Sequence, residues 1–180
     1  MGYNRSEANG LQHISSKEEQ FEQIMEIYST DIFRLAYSYV KNKSQADDVT
    51  QAVFIKCFTK FEQFRGKNFK SWLYQITVNI CKDYFRSWHY RQTIISDSLI
   101  TFFKEKSAEE VLLERDENKQ ISDAVLDLPV KYREIIFLHY FEELSLIEIS
   151  NLLELNLNTI KTRHKRAKDL LKNAFMERGI

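Results

Sequence analysis

Apolar residues recur at intervals of three and four along most of the chain, a spacing that predicts helices. Phe21, Ile24, Met25, Tyr28, Ile32, Leu35, Ala36 and Tyr39 define one long amphipathic helix, opened by the capping pattern Ser16/Glu19 and closed near Lys41-Asn42-Lys43. A second helix is expected to start at Ser44, with Asp47 and Asp48 in a first turn where the macrodipole favours anions. Its apolar side is Val49, Ala52, Val53, Cys57 and Phe61, and it ends near Phe64-Arg65-Gly66. A third places Phe69, Leu73, Ile76, Ile80 and Tyr84 on a packing face. Gln75, Asn79, Lys82 and Arg86 form an adjoining polar stripe that is expected to stay free.

The periodicity lapses over 91–107, which reads as a linker from Gln92 to Lys106. An acidic helix follows from Ser107, carrying Val111, Leu112, Ile121, Val125 and Leu128. Pro129 then occupies a natural first helical position, and Ile135, Ile136, Leu138, His139 and Phe141 continue that helix, with His139 as a packing residue. Ser145/Glu148 is a second capping box, opening a short helix with Leu146, Ile149, Leu152 and Leu153. After Glu154-Leu155-Asn156 a longer helix turns Ile160, Ala167, Leu171 and Ala174 inward. Short helix, tight turn and basic helix describe a helix-turn-helix.

Composition supports the helical reading. Among 180 residues there is one proline, and Gly66 is the only glycine between residues 11 and 178, so the frequent turns of a sheet protein have no residues to make them. The length also excludes a large multidomain enzyme. The expectation is an all-α chain of two small helical domains, residues 16–91 and 107–180, joined by a flexible linker over 92–106 and preceded by a mobile tail over 1–15. Cys57 and Cys81 show neither disulfide-framework nor zinc spacing and read as small buried hydrophobes. With no apolar run of membrane-spanning length and a polar N-terminus unlike a signal peptide, the expected location is cytoplasmic.

Formal charge is zero overall but segregated: residues 56–91 carry +6 and 156–180 carry +5, while 97–127 carry −5. Screening over roughly 8–10 Å lets each basic block act locally on a polyanion. Eleven of the 24 aromatic residues lie between Phe54 and Tyr90, all but Phe54 inside the first basic block. Cations interleaved with rings suit single-stranded nucleic acid, where cations hold phosphates and rings stack on unpaired bases. On the last helix Asn158, Lys161, Thr162 and Lys165 share an outer face, flanked by Thr159, Arg163 and Arg166. Such a row fits the major groove, with Asn and Arg for base edges and Lys and Thr for phosphates. His164 in this helix either touches DNA or packs beside Ile160.

Residues 144–168, LSLIEISNLLELNLNTIKTRHKRAK, resemble the C-terminal helix-turn-helix of bacterial sigma factors, with Asn158-Thr-Ile-Lys-Thr-Arg163 standing where that family usually has G-T-V-K-S-R. The preceding LPVKYREIIFLHYFEELS resembles the first helix of the same domain. ADDVTQAVFIKCF (46–58) resembles the polymerase-binding helix of the N-terminal sigma domain, and FRGKNFKSWLYQITVNICKDYFR (64–86) its melting and minus-ten segment. Small size and the absence of a middle domain resemble the extracytoplasmic-function group. One departure is Glu154, where the family commonly has glycine at a position favouring positive φ; a residue with a Cβ there implies roughly 1 kcal/mol of strain or a reshaped turn.

The resemblance implies a division of labour. Asp47, Asp48, Gln51, Phe54 and Ile55 would face core RNA polymerase, through its beta-prime and beta subunits, although helix capping explains the aspartates and core packing explains Phe54 and Ile55 equally well. Lys67, Asn68, Trp72, Asn79, Arg86, Trp88 and Arg91 would take melted minus-ten DNA, with core packing the alternative for Trp72. Asn158, Thr159, Lys161, Thr162, Arg163, Lys165 and Arg166 would read the minus-thirty-five element as duplex. An anti-sigma factor is the implied inhibitor. No Ser/His/Asp, Cys/His or phosphate-cradling glycine pattern occurs, and His13, His89, His139 and His164 lack HxxxH spacing. The expectation is therefore no enzyme, cofactor, metal or small-molecule substrate. A duplex-only helix-turn-helix regulator would explain 144–175 but leave the aromatic-basic segment idle; a helical interaction protein would predict scattered charge.

Overall fold

The computed structural model describes residues 17–65, 68–95 and 116–179. Among these, every regular element is helical: α1 (Lys17–Val40), α2 (Lys43–Lys60) with a 3-10 turn at Phe61–Gln63, α3 (Phe69–Ile95), α4 (Asp116–Asp127), α5 (Val130–Ile136), α6 (Leu146–Leu153) and α7 (Leu157–Arg178). The expected tail 1–15, Ser16 of the first capping pattern, and residues 96–115, including Ser107, Val111 and Leu112, lie outside the described residues.

Helices α1, α2 and α3 form one packed unit and α4 to α7 a second. Ile32, Leu35, Ala36, Val49, Val53, Cys57, Leu73 and Ile76 are buried in the first as the periodicity predicts. In the second, Ile136, Val125, Leu128 and Ala167 form a small cluster that fixes α4 and α5 on α7. The two units also share a core. Ile135, Leu138, Ile149, Leu152 and Leu153 belong to the same buried cluster as Ile32, Leu35 and Tyr74.

Three expectations change. The cap of α2 is Asn42, whose Oδ1 accepts from the Gln45 N–H at 3.0 Å, so the helix starts at Lys43 instead of Ser44. Asparagine caps as well as serine does, and the consequence is that Asp47 and Asp48 fall beyond the first turn, outside the capping role. The third helix continues through Ile95, so Gln92 to Ile95 are helix where a linker was expected. The polar stripe of α3 is only partly free: Asn79 and Arg86 are exposed but Gln75 and Lys82 are half-buried, and Tyr74, Thr77 and Val78 beside them are buried as fully as Leu73. The reason is position, since α3 packs on α1 and α2 and also on α6.

Smaller shifts follow local chemistry. Pro129 is the N-cap of α5, one residue before its expected place. Beyond Ile136 the chain widens into a π-helical turn over Phe137–Phe141, where the Glu142 N–H donates to the Phe137 carbonyl at 3.3 Å. Arg133, almost fully buried, donates to the Leu126 and Leu128 carbonyls at the end of α4 and to the Tyr39 carbonyl at the end of α1. A cation at two helix C-termini satisfies carbonyls that otherwise lack partners. Burial lowers its pKa to about 10, which leaves it protonated at neutral pH.

Candidate nucleic-acid interface

The helix-turn-helix assembles from local signals. Ser145 caps α6 through the Glu148 N–H, while the Glu148 carboxylate accepts from the Ser145 N–H at 2.8 Å, completing the expected capping box. The Ser145 hydroxyl, which donates to the same carboxylate at 2.7 Å, and then the Ser145 N–H hold the Glu148 carboxyl below its ordinary pKa. The helix ends at Glu154, which adopts the left-handed conformation at φ 57°. The Leu155 N–H then returns to the Ser150 carbonyl at 3.0 Å, the closure that helix ends usually make with glycine. The turn therefore keeps the usual shape despite its Cβ. Asn156 caps α7 by accepting from the Asn158 N–H at 2.8 Å.

On α7, Asn158, Lys161, Thr162, Lys165 and Arg166 are exposed, as their spacing predicts, while Ile160 and Ala167 are buried beneath them. Thr159 and Arg163 are half-buried. Arg163 lies back along the helix, with Nη1 3.6 Å from the Glu134 carboxylate. His164 also turns inward, its ring 4.9 Å from that of His139, and its Nε2 is buried without a partner. Burial, then the neighbouring His139 and Lys168, lower its pKa. Of its two readings, packing is the one the structure supports.

The N-terminal end of α3 gathers rings. Phe64 and Trp72 have centroids 4.9 Å apart, and Phe69 lies 5.5 Å from each. Trp72 is half-buried, packed on one side and open on the other. Beside it runs a cleft of about 470 Å³ lined from α3 and the preceding loop by Phe64, Asn68, Ser71, Trp72 and Gln75, and from α6 by Glu148, Asn151 and Leu152. Asn68 is exposed, with Oδ1 accepting from the Ser71 N–H at 3.0 Å. Asn79 is exposed further along, and Arg86 is exposed in an ion pair of 3.4 Å with Asp83. Lys67 and the side chains of Trp88 and Arg91 lie outside the described residues.

On the outer face of α2, Asp47, Asp48, Gln51 and Ile55 are exposed, Ile55 at 66%. Phe54 is turned into the core at 8% exposure, edge-on to Phe21, and so offers no contact surface. The aspartates are solvated and the isoleucine is an unpartnered apolar residue among acids. Cys57 and Cys81 are free and buried, with burial raising their thiols to about 11 and about 12. At neutral pH both are inert thiols.

Four polar residues that sequence reasoning passed over join the two halves. Tyr39 donates to Glu134 at 2.7 Å, and Tyr74 donates to Glu142, which also pairs with Lys70 at 3.2 Å. Both carboxylates are nearly buried. Burial, opposed by the Tyr39 hydrogen bond and by Lys82 and Arg163, leaves Glu134 above its ordinary pKa. Gln75 adds a 2.9 Å hydrogen bond from Nε2 to Glu154. The periodicity marks Tyr39 as an apolar-face residue but leaves Tyr74 off the packing face of α3, and nothing in the sequence marks which carboxylates meet them.

This arrangement is that of a helix-turn-helix protein with a second, aromatic surface on a separate helical unit. Residues 24–90 match Sigma-70 region 2 and residues 118–171 match Sigma-70, region 4. The chain is 31% identical to the ECF RNA polymerase sigma factor SigW of Bacillus subtilis (strain 168), covering 89% of this chain and 91% of that protein. It is 35% identical to the RNA polymerase sigma factor SigV of the same organism, over 81% of this chain and 84% of that one. Among solved structures, the sigma factor RpoE from Bartonella quintana, in complex with the anti-sigma factor NepR, superposes with TM-score 0.69 at 23% identity, covering 88% of this chain and 98% of that chain. CnrH, in complex with the cytosolic domain of CnrY, superposes at 0.64 with 19% identity over 89% and 90%. The chain belongs to the ECF RNA polymerase sigma factors, non-catalytic proteins that direct promoter-specific transcription. No helix among the described residues is long and apolar enough to cross a membrane.

Proposed function

We propose that this sigma factor divides promoter recognition between its two halves: α7 reads the minus-thirty-five element as duplex, and residues 64–91 capture the minus-ten element as melted single strand. The exposed row Asn158, Lys161, Thr162, Lys165 and Arg166 carries the first part. A capped helix presenting donors along one face suits the major groove, where side chains reach base edges and the helix N-terminus and lysines hold phosphates. The cluster of Phe64, Phe69 and Trp72 beside a cleft supports the second. Opening a base pair costs a few kcal/mol, recovered when an extruded base stacks on a ring and its edge finds donors. Asn68, Asn79 and Arg86 are exposed polar groups on that side.

Core RNA polymerase docks on the α2 face through Asp47, Asp48, Gln51 and Ile55, an apolar anchor ringed by acids that a basic, partly apolar partner surface complements. The chain supplies recognition, and the polymerase supplies catalysis. An anti-sigma factor is the expected regulator, since both sigma-like chains of similar fold are held in complexes, RpoE with the anti-sigma factor NepR and CnrH with CnrY.

Permanganate footprinting of the bubble tests the minus-ten assignment. Asn79→Ala is expected to lower reactivity of unpaired thymines while leaving closed-complex binding intact; equal reactivity in variant and parent removes Asn79 from the melted-strand surface.

A further inference from the structure

The inner face of α7 places an imidazole where the helix otherwise buries aliphatic groups. His164 lies four residues after Ile160 and three before Ala167, so it shares their side of the helix. Its ring meets that of His139 edge to face at 4.9 Å and lies 5.9 Å from the ring of Tyr140, both in the π-helical turn. His139 is itself fixed. Its Nδ1 stands 2.7 Å from the Leu144 carbonyl oxygen, which only accepts, so Nδ1 carries the hydrogen. That hydrogen bond closes the loop leading into Ser145, the cap of α6. The two rings therefore tie the second helix of the helix-turn-helix to the segment that launches the first.

The contact suits neutral rings. A protonated imidazole donates from both nitrogens, and Nε2 of His164 is buried without an acceptor. Burying an unpaired charged N–H is costly, and the charges that act on this ring, His139 and then Lys168, both oppose a further proton. Carboxylates on the helices packed against α7 are engaged elsewhere. Glu134 of α5 holds Tyr39 and Arg163, and Asp127 of α4 pairs with Lys41 and Arg178. Glu148 of α6 holds Ser145, Glu154 at its end accepts from Gln75, and Glu143 after the turn is exposed.

We infer that the His139–His164 contact is an acid-sensitive clasp of the helix-turn-helix: with both rings neutral it seats α7 on the turn after α5, and a proton on His164 unseats α7 and withdraws its outer row from duplex DNA. The inference rests on the DNA-reading role given to α7. Lys161, Lys165 and Arg166 lie within one turn of His164, so the movement that frees the ring also changes the angle of that row. The unfolded chain takes up this proton more readily than the folded one. Stability from the group is therefore full above the ordinary histidine range and is lost as pH falls through it. The sign is opposite to that of Glu134, whose contribution falls as pH rises.

The test uses the full chain and compares the parent with His164→Leu, which keeps an apolar group against His139 and removes the titration. Between about pH 7.5 and about pH 5.5, the span of an ordinary histidine, urea midpoints of the parent are expected to fall relative to those of His164→Leu. The unfolding equilibrium of the parent is expected to rise by up to about tenfold per pH unit more than that of the variant. Reconstituted with core polymerase, the two are expected to transcribe alike at the upper pH, the parent losing about fivefold or more relative to the variant at the lower. His139→Asn, which keeps an N–H for the Leu144 carbonyl but carries no charge, is expected to shrink both falls. In the parent itself, the imidazole nitrogen NMR signals of His164 are expected to titrate below the ordinary histidine value. A titration at or above that value overturns the inference, even where His164→Leu does not fold. Equal pH dependence of parent and variant overturns it too, as does a fall in stability without a fall in transcription. Promoter-selective transcription that survives Lys161→Ala with Arg166→Ala at the upper pH overturns the DNA-reading role itself, and the clasp inference with it.

Discussion

The hydroxyl of Tyr39, at the end of α1, donates a 2.7 Å hydrogen bond to Oε2 of Glu134, 95 residues along the chain in α5. Both residues are nearly inaccessible, at 2% and 6% exposure, so the contact orders the two halves without help from water. Glu134 meanwhile stands 3.6 Å from Arg163 of the recognition helix. One carboxylate therefore senses both the packing of the halves and the state of α7.

Burial holds the Glu134 carboxyl above its ordinary pKa, so the folded chain binds that proton more tightly than the unfolded chain does. The sign follows: stability from this group is greatest below the unfolded carboxylate range and falls as pH rises through the folded pKa. Glu134→Gln keeps an acceptor for Tyr39 and removes the titration. The stability of the parent relative to Glu134→Gln is expected to decline as pH rises above the ordinary carboxylate range toward neutrality, as read from urea midpoints. A difference that grows in the opposite direction contradicts the assignment of burial as the dominant cause.

Glu154 sits at φ 57° without the freedom of glycine. A Cβ in that region costs about 1 kcal/mol, while its hydrogen bond from Gln75 is exposed and contributes little. Glu154→Gly is expected to stabilise the chain by about 0.5 to 1 kcal/mol in urea unfolding. Destabilisation of more than about 1 kcal/mol would show that the Gln75 contact outweighs the backbone strain.

Ser145 has a larger role than its exposure suggests, because its side chain and the Glu148 carboxylate satisfy the first free amides of α6 together. Ser145→Ala is expected to cost about 1 kcal/mol and to loosen the angle of α7, with duplex binding falling alongside thermal stability. Unchanged stability would mean that α6 is held by Ile149, Leu152 and Leu153 alone.

Much of this was legible in the residues. Periodicity places the helices, and the Ser145/Glu148 box and the Glu154-Leu155-Asn156 turn appear where their residue types require. The outer row of α7 is legible for the same reason: apolar Ile160 and Ala167 fix the rotation of the helix and leave Asn158, Lys161, Thr162 and Lys165 outside. What the pattern does not carry is the partner of each face. Asn42 and Ser44 are both good caps, and only the turn at Lys41, with φ 55°, decides between them. Phe54 and Ile55 are adjacent apolar residues on a helix, yet one is buried against Phe21 and the other is exposed. Tyr74 and Gln75 read as positions on a half-solvated helix because the sequence gives no sign that α6 lies over them.

Two cations on α7 separate recognition from polymerase binding. Lys161→Ala with Arg166→Ala is expected to abolish promoter-selective transcription, each lost contact being worth about 1–3 kcal/mol at a base or one counterion at a phosphate. Binding to core polymerase, measured by co-migration of the two, is expected to persist because the α2 face is untouched. Loss of both activities together would indicate an unfolded variant, which a melting curve identifies.

Promoter-directed initiation read through two elements is tested by transcription in vitro. Fragmented genomic DNA from the source organism is transcribed by sigma-free core polymerase with and without the protein, and RNA 5′ ends are mapped. New start sites that share two upstream motifs at constant spacing are expected, the upstream motif lost with Lys161→Ala and Arg166→Ala. A folded protein that yields no start sites, with a polymerase competent under another sigma factor, would contradict promoter-directed initiation.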